Sequence, residues 1–117
     1  MVRYGCKDYA CTIEMALDLI GGKWKPRIVW WLGQRTFRFR ELERQLADTS
    51  RKVLVQQLRQ LEADGIVHRT VHAQVPPRVE YALTDMGRKL LPILGSLDAW
   101  AGEMLAAGQP VPVRKLP

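Results

Sequence analysis

The stretch Thr49-Ser-Arg-Lys-Val-Leu-Val-Gln-Gln-Leu-Arg-Gln-Leu-Glu-Ala-Asp-Gly65 decides the reading of this 117-residue chain. Leu54, Leu58 and Leu61 recur at i, i+4 and i+7, the spacing of one buried face of a helix. Ser50 is placed to cap that helix and Asp64-Gly65 to end it. Its outward and flanking residues, Ser50, Arg51, Lys52, Val55, Gln56 and Arg59, include no acid. Two strands follow, Ile66 to Ala73 and Val79 to Leu83, with Gln74-Val-Pro-Pro-Arg78 as the loop between them. Two prolines deny that loop ladder donors, which suits a projecting tip. Thr84 then caps a helix running to about Ala107. A basic amphipathic helix, a hairpin and a capped helix, in that order, spell a recognition helix followed by a wing.

Upstream, Thr12 is placed to cap a first helix to about Ile20, with Ile13, Ala16, Leu17 and Ile20 on one face. Gly21-Gly22 ends it. A second helix starts near Trp24-Lys25-Pro26, proline being tolerated in a first turn; Ile28, Trp31 and Leu32 carry its apolar stripe. A short third helix opens at Arg38, with Phe39, Leu42 and Leu46 inward. In the last helix Pro92 should produce a kink, because it removes a backbone bond and crowds the preceding turn. The expected fold is mainly α with a small β-hairpin: a winged helix-turn-helix of three core helices and a two-stranded wing. Residues 1–107 form one domain and 108–117 a proline-bearing flexible tail.

The formal net charge is +6, and its distribution matters more than its size. Between Leu19 and Arg40 stand six basic residues (Lys23, Lys25, Arg27, Arg35, Arg38, Arg40) and no acid. A polarised basic face suits a polyanion. A helix of this kind fits the major groove of double-stranded DNA. Arg51 can bond guanine in bidentate fashion, Gln56 can pair with adenine and Val55 can touch a thymine methyl. Ser50 presents free backbone N–H groups to a phosphate. Lys52, Arg59, Lys23 and, beside the wing tip, Arg78 are candidates for phosphate or minor-groove contact.

Other classes fare worse. The chain has no glycine-rich phosphate loop and no nucleophile elbow, so an enzyme is not expected. Glu41 and Glu80 sit singly beside arginines, as structural ion pairs do. His68 and His72 share a strand face, but with the Cys6/Cys11 spacing they make a poor zinc site; neither metal nor cofactor is expected. The N-terminus lacks the apolar core of a signal peptide and no apolar run reaches membrane-spanning length, so a cytoplasmic location away from the membrane is expected. A winged-helix module for protein contact would need an apolar or acidic outward face on residues 50 to 59. Here that face is Ser, Arg, Lys, Gln and Arg.

Residues 11 to 104 resemble the HxlR-type transcriptional regulators, a branch of the winged helix-turn-helix regulators related to the MarR group. The matching pieces are Cys11, Leu19-Ile-Gly-Gly-Lys-Trp24, Arg38-Phe39 with Glu41-Leu42, Leu58-Arg-Gln-Leu61 with Asp64-Gly65, Val75-Pro-Pro-Arg-Val-Glu-Tyr81, Leu83-Thr84 with Gly87, and Trp100. The resemblance implies a homodimer on a pseudo-palindromic operator, its interface built from the first and last helices. Departures are Thr12 after Cys11, where proline is frequent, and the extra thiol Cys6.

The last helix supports dimerisation independently of family. Its apolar stripe, from Leu90 through Ile93, Leu94, Leu97, Trp100 and Met104, is wider than one small domain buries. With Ile13 and Leu17 of the first helix, the residues Leu94, Leu97, Trp100 and Met104 are the expected dimer interface. Cys11 stands just before the first helix, at the positive end of its dipole, where a reactive thiol is expected. Some relatives of this type use a cysteine here to sense oxidants, quinones or aldehydes. Cys11 is therefore the candidate sensor of an oxidant or electrophile, with Cys6 as the resolving thiol. A plain buried thiol is the other reading of Cys11. A non-covalent small-molecule effector held near Trp24, Trp30, Trp31 and Trp100 is the alternative mode of control.

Overall fold

A computed structural model describes residues 1–108. The predicted tail falls almost wholly on residues 109–117, outside the described residues. The elements run β1 (Val2–Tyr4), β2 (Lys7–Tyr9), α1 (Thr12–Ile20), α2 (Lys25–Leu32), β3 (Phe37–Arg38), α3 (Phe39–Gln45), α4 (Arg51–Ala63), β4 (Val67–His72), β5 (Arg78–Leu83), α5 (Asp85–Arg88) and α6 (Leu90–Ala106). Helices α2, α3 and α4 with the β4–β5 hairpin make a winged helix-turn-helix.

The core forms where three helices bring their apolar faces together. Leu54, Leu58 and Leu61 of α4 are buried against Ile28, Val29 and Leu32 of α2 and Leu42 of α3, with Leu46, Phe37, Ile66, Val67 and Leu83 closing the cluster. Trp31 packs edge-on to Phe37, ring centroids 6.3 Å apart. Ser50 caps α4 as expected: its hydroxyl accepts the Val53 N–H at 3.1 Å. Gly65, at φ +74°, ends α4 in a conformation that L side chains rarely adopt.

Thr84 joins the end of α4 to the last helices. Its hydroxyl donates to the Gly65 carbonyl at 2.6 Å and accepts the Gly87 N–H at 3.0 Å, while its own N–H reaches the Ile66 carbonyl at 3.0 Å. Gly87 is required there, since a Cβ would overlap the Ile66 carbonyl oxygen.

Several local expectations need correction. Cys11, not Thr12, is the N-cap of α1. Its backbone is extended and its carbonyl accepts the Met15 N–H at 3.2 Å, but no side chain caps the helix. Glu14 reaches back instead and accepts the Ala10 N–H at 2.8 Å. The wing is a three-stranded sheet in the order β3-β5-β4, because Phe37 and Arg38 pair with Tyr81 and Glu80. Arg78 belongs to β5, opposite His72, rather than to the loop. The last helix is two helices: the break falls at Lys89, ahead of Pro92. With no N–H on Pro92 for the Arg88 carbonyl and its ring against that group, the chain leaves the α-helix there. The hairpin β1–β2, with the two-residue turn Gly5-Cys6, was not foreseen at all.

The α1 and α6 helices bury no residue completely. Leu90, Leu91 and Leu94 lean on the core, yet beyond them the apolar stripe of α6 is left uncovered by the described residues. The radius of gyration is 16.6 Å, against about 13 Å for a compact chain of this length.

Leu58→Ala, emptying a side chain at the centre of the helical core, should cost about 2–5 kcal/mol in urea unfolding. Gly87→Ala should also destabilise, through displacement of the Ile66 carbonyl rather than through a cavity, so its loss should survive a compensating reduction of the Ile66 side chain to alanine.

Candidate DNA-binding face and thiol region

The turn between α3 and α4 is fixed by charge. Arg27 of α2 makes two hydrogen bonds to the Asp48 carboxylate, at 3.0 and 3.1 Å, and Lys23 lies 4.0 Å from the same group. Both cations also stack over the Trp24 ring, at 5.1 and 4.8 Å. The Arg27 hydrogen bonds hold the Asp48 carboxyl below its usual 3.8. The predicted DNA contact Lys23 thus stands at the helix-turn-helix elbow, half engaged by an acid.

The outward face of α4 gathers most of the predicted contacts. Lys52, Val55, Gln56 and Arg59 line one shallow concavity together with Gln60. Arg51 and Arg78 lie elsewhere, in a groove between the start of α4, the start of α3 and the wing. Its other walls are Arg38, Phe39, Arg40, Gln74, Pro76, Pro77 and Val79. Ser50 stands between the two patches as the N-cap of α4.

Neither groove arginine points freely outward. Arg51 is held by Glu43 of α3 through two bonds of 2.9 and 3.0 Å, and lies over the Phe39 ring at 5.5 Å. That bonding lowers the Glu43 carboxyl below its ordinary range. Arg78 sits 3.4 Å from Glu80, which also takes His72, and its Nε is buried without a hydrogen-bond partner. The helix 50–59 has no acid of its own, but α3 supplies one. Among the described residues Arg38, Arg40, Lys52 and Arg59 form no ion pair. Arg38 and Arg40 were missed as site residues. Their signal was the acid-free basic run from Leu19 to Arg40, and only the β3–β5 pairing brings them beside the wing.

Cys6 and Cys11 are both free and exposed, Cys6 in the hairpin turn and Cys11 at the start of α1. Exposure rules out the reading of Cys11 as a buried structural thiol. Close by in sequence, Ile13 and Leu17 are 71% and 64% exposed, and on α6 Leu97 and Trp100 are 56% and 58% exposed with Met104 also open. Leu94, grouped with them from sequence, is half-buried against the core. Among the described residues no three His, Cys, Asp or Glu side chains converge on a metal position. No described helix is long and apolar enough to cross a membrane.

A three-helix core, a recognition helix with a basic outward face and a wing beside it define a winged helix-turn-helix regulator of the DNA-binding kind. Residues 19–109 match the sequence model of the HxlR-like helix-turn-helix family, and the chain belongs to that family. It is 48% identical over 90 residues to the uncharacterised HTH-type transcriptional regulator YybR of Bacillus subtilis, covering 77% of this chain and 72% of the relative. Among solved structures it is similar to the redox regulator HypR in its oxidised form, at 42% identity and TM-score 0.75 over 91% of this chain and all of that one. It is similar also to diamide-treated YodB from B. subtilis, at 32% identity and TM-score 0.70 over 81% of this chain and 94% of that one.

Asp48, Glu43, Glu41 and Asp18 all have carboxyls held below their ordinary values by partners in the folded state. A lowered folded pKa adds stability above the unfolded value, and that stability is lost as pH falls through the folded value. Urea midpoints should therefore drop as pH falls from about 5 toward about 2. Asp48→Asn should be less stable at the higher pH and show a smaller drop.

Proposed function

We propose that the chain is a homodimeric, sequence-specific transcriptional regulator that lays α4 in the major groove of each half of a pseudo-palindromic operator. The observation that carries this reading is the α4 face: Lys52, Val55, Gln56 and Arg59 on one concavity, with both cations free of acids among the described residues. Gln56 has the geometry for adenine and Val55 for a thymine methyl. Lys52 and Arg59 suit phosphates, and the Ser50 end of α4 offers helix N–H groups and a positive dipole to another. Arg51 reads guanine while Glu43 fixes its fork, so that little side-chain freedom is lost on binding. Arg38, Arg40 and Arg78 line the groove under the wing, where the adjacent backbone would run, and Lys23 reaches phosphate at the elbow. A protein-interaction module would not need this unpaired basic surface.

Dimerisation rests on the uncovered stripe: Ile13 and Leu17 on α1 with Leu97, Trp100 and Met104 on α6. Exposed apolar surface of that extent marks an interface, and a two-fold axis through it would place two α4 helices about one DNA turn apart. Cys11 begins the helix that carries Ile13 and Leu17. Oxidation there, with Cys6 of either protomer as the second thiol, transfers two electrons and two protons to the oxidant and leaves a disulfide. Such a bond at the interface would reset the spacing of the recognition helices. The names of HypR and YodB, a redox regulator and a diamide-treated protein, favour thiol control. Such a regulator works in the cytoplasm. A non-covalent effector is the second reading, favoured by a groove of about 520 Å³ between α2 and α6 lined by Trp30, Trp31, Leu94 and Leu97.

Arg51→Ala should cost about 1–3 kcal/mol of operator affinity and relax preference at one base pair, while Lys52→Ala should weaken all sequences alike and reduce the salt slope by about one unit. Unchanged sequence preference in Arg51→Ala would remove it from base readout. Diamide should release operator DNA from the unaltered protein and not from Cys11→Ser, as read by mobility shift. Leu97→Glu should convert a dimer to a monomer in sedimentation; equal sedimentation would sink the interface.

A further inference from the structure

Beneath the N-terminal hairpin lies a cavity of about 390 Å³, of whose lining the regulatory reading uses only Cys6. Cys6, Lys7 and Tyr9 of the hairpin line it together with Asp18 of α1, Lys25 of α2, and Gln60 and Asp64 at the end of α4. The hairpin is latched over it by Asp18, which takes the Tyr9 hydroxyl at 2.5 Å and the Lys7 ammonium at 3.3 Å. Those bonds hold the Asp18 carboxyl below its ordinary range, and Asp18 in turn pushes the Tyr9 hydroxyl up to about 12. Lys25 adds a weaker, through-space attraction to the same carboxylate.

Two other charges on the walls lack a direct partner among the described residues. Lys25 is 8% exposed, and among the described residues it has no ion pair or side-chain hydrogen bond. It stands at the first position of α2, the positive end of that helix, where a cation is disfavoured. Asp64 likewise has no ion pair among the described residues and stands at the C-cap of α4, the negative end, where an anion is disfavoured. A cavity that keeps one cation and one anion, each without a direct ion pair among the described residues and each against its own helix dipole, is complementary to a zwitterion. The thiol at its rim is Cys6.

We propose that this cavity is a binding site for a small amino-acid disulfide, whose carboxylate seats on Lys25 and whose ammonium seats on Asp64. The Cys6 thiolate attacks one sulfur of the bound disulfide. A new S–S bond forms to Cys6, the old S–S bond breaks, and the other half leaves as a thiolate that takes up the proton Cys6 gave to solvent. The protein is left carrying one amino-acid thiol as a mixed disulfide. This site is separate from Cys11 and does not depend on the DNA-binding reading. Because Gln60 belongs to α4 and Asp64 is its C-cap, the occupant touches the recognition helix at the end remote from Ser50.

The test uses full-length Cys11→Ser protein, in which Cys6 is the sole thiol. Rates of mixed-disulfide formation are read by intact mass with L-cystine, with dicationic cystamine and with dianionic 3,3′-dithiodipropionate, each normalised to the same protein in urea. L-cystine should be fastest after normalisation. Lys25→Met should slow it about threefold to fivefold and erase its advantage over cystamine, while Lys25→Arg keeps that advantage. Asp64→Asn should erase its advantage over dithiodipropionate. If Lys25→Met fails to fold, protection decides: S-methyl-L-cysteine should shield Cys6 from iodoacetamide where propionate and butylamine do not. Equal normalised rates for the three disulfides, or no protection, would overturn the proposal and leave the two charges merely offsetting each other across the cavity.

Discussion

Everything else in this molecule is arranged around the one-sided burial of α4. Leu54, Leu58 and Leu61 are inserted between α2 and α3, and each buried leucine of this kind is worth about 1.5–3 kcal/mol relative to exposure. A 13-residue helix is too short to hold its shape from propensity alone, so packing has to supply its stability. Once that stripe is fixed, the opposite face is fixed too, and Lys52, Gln56 and Arg59 must look outward. The function of the helix is thus a by-product of where its leucines fall.

The acids of the helix-turn-helix do a second job. Asp48 ties α2 to the turn through Arg27, and Glu43 ties α3 to α4 through Arg51. Exposed pairs like these are individually weak, yet both are bidentate and both bridge separate elements, so they fix angles more than they add stability. The consequence is a division of labour among the basic residues. Those that carry acids are held in place, and Lys52, Arg59, Arg38 and Arg40, without an acid partner among the described residues, are the ones the proposed reading leaves for a polyanion.

Legibility followed the range of the interactions. The leucine stripe, the Ser50 cap, the Gly65 stop and the Thr84 cap are local signals, and each was readable because its physics acts within a few residues. The strand β3 was not, because two residues acquire strand character only from pairing with β5, more than forty positions later. Arg51 looked free in sequence because its acid lies on another helix. Pro92 was read as a kink within one helix, while the chain responds earlier, at the carbonyl the proline leaves without a donor. The hairpin β1–β2 is three residues a side, too short for alternation to announce it, and it is held by Tyr9 reaching Asp18.

The same physics supports the proposed pairing of α1 and α6 between two copies. A chain gains nothing by displaying Ile13, Leu17, Leu97, Trp100 and Met104 to water, since each would be more stable covered. Cover from its own core is out of reach: Leu90, Leu91 and Leu94 already occupy the available contact, and beyond them α6 leaves the body of the domain. A second copy offers a matching stripe by symmetry, with no further sequence needed. On that arrangement the N-cap thiol Cys11 sits at the edge of the joint that sets the distance between two α4 helices. On the proposed reading, a bond made there would change geometry at the far end of the molecule while leaving the α4 face itself untouched.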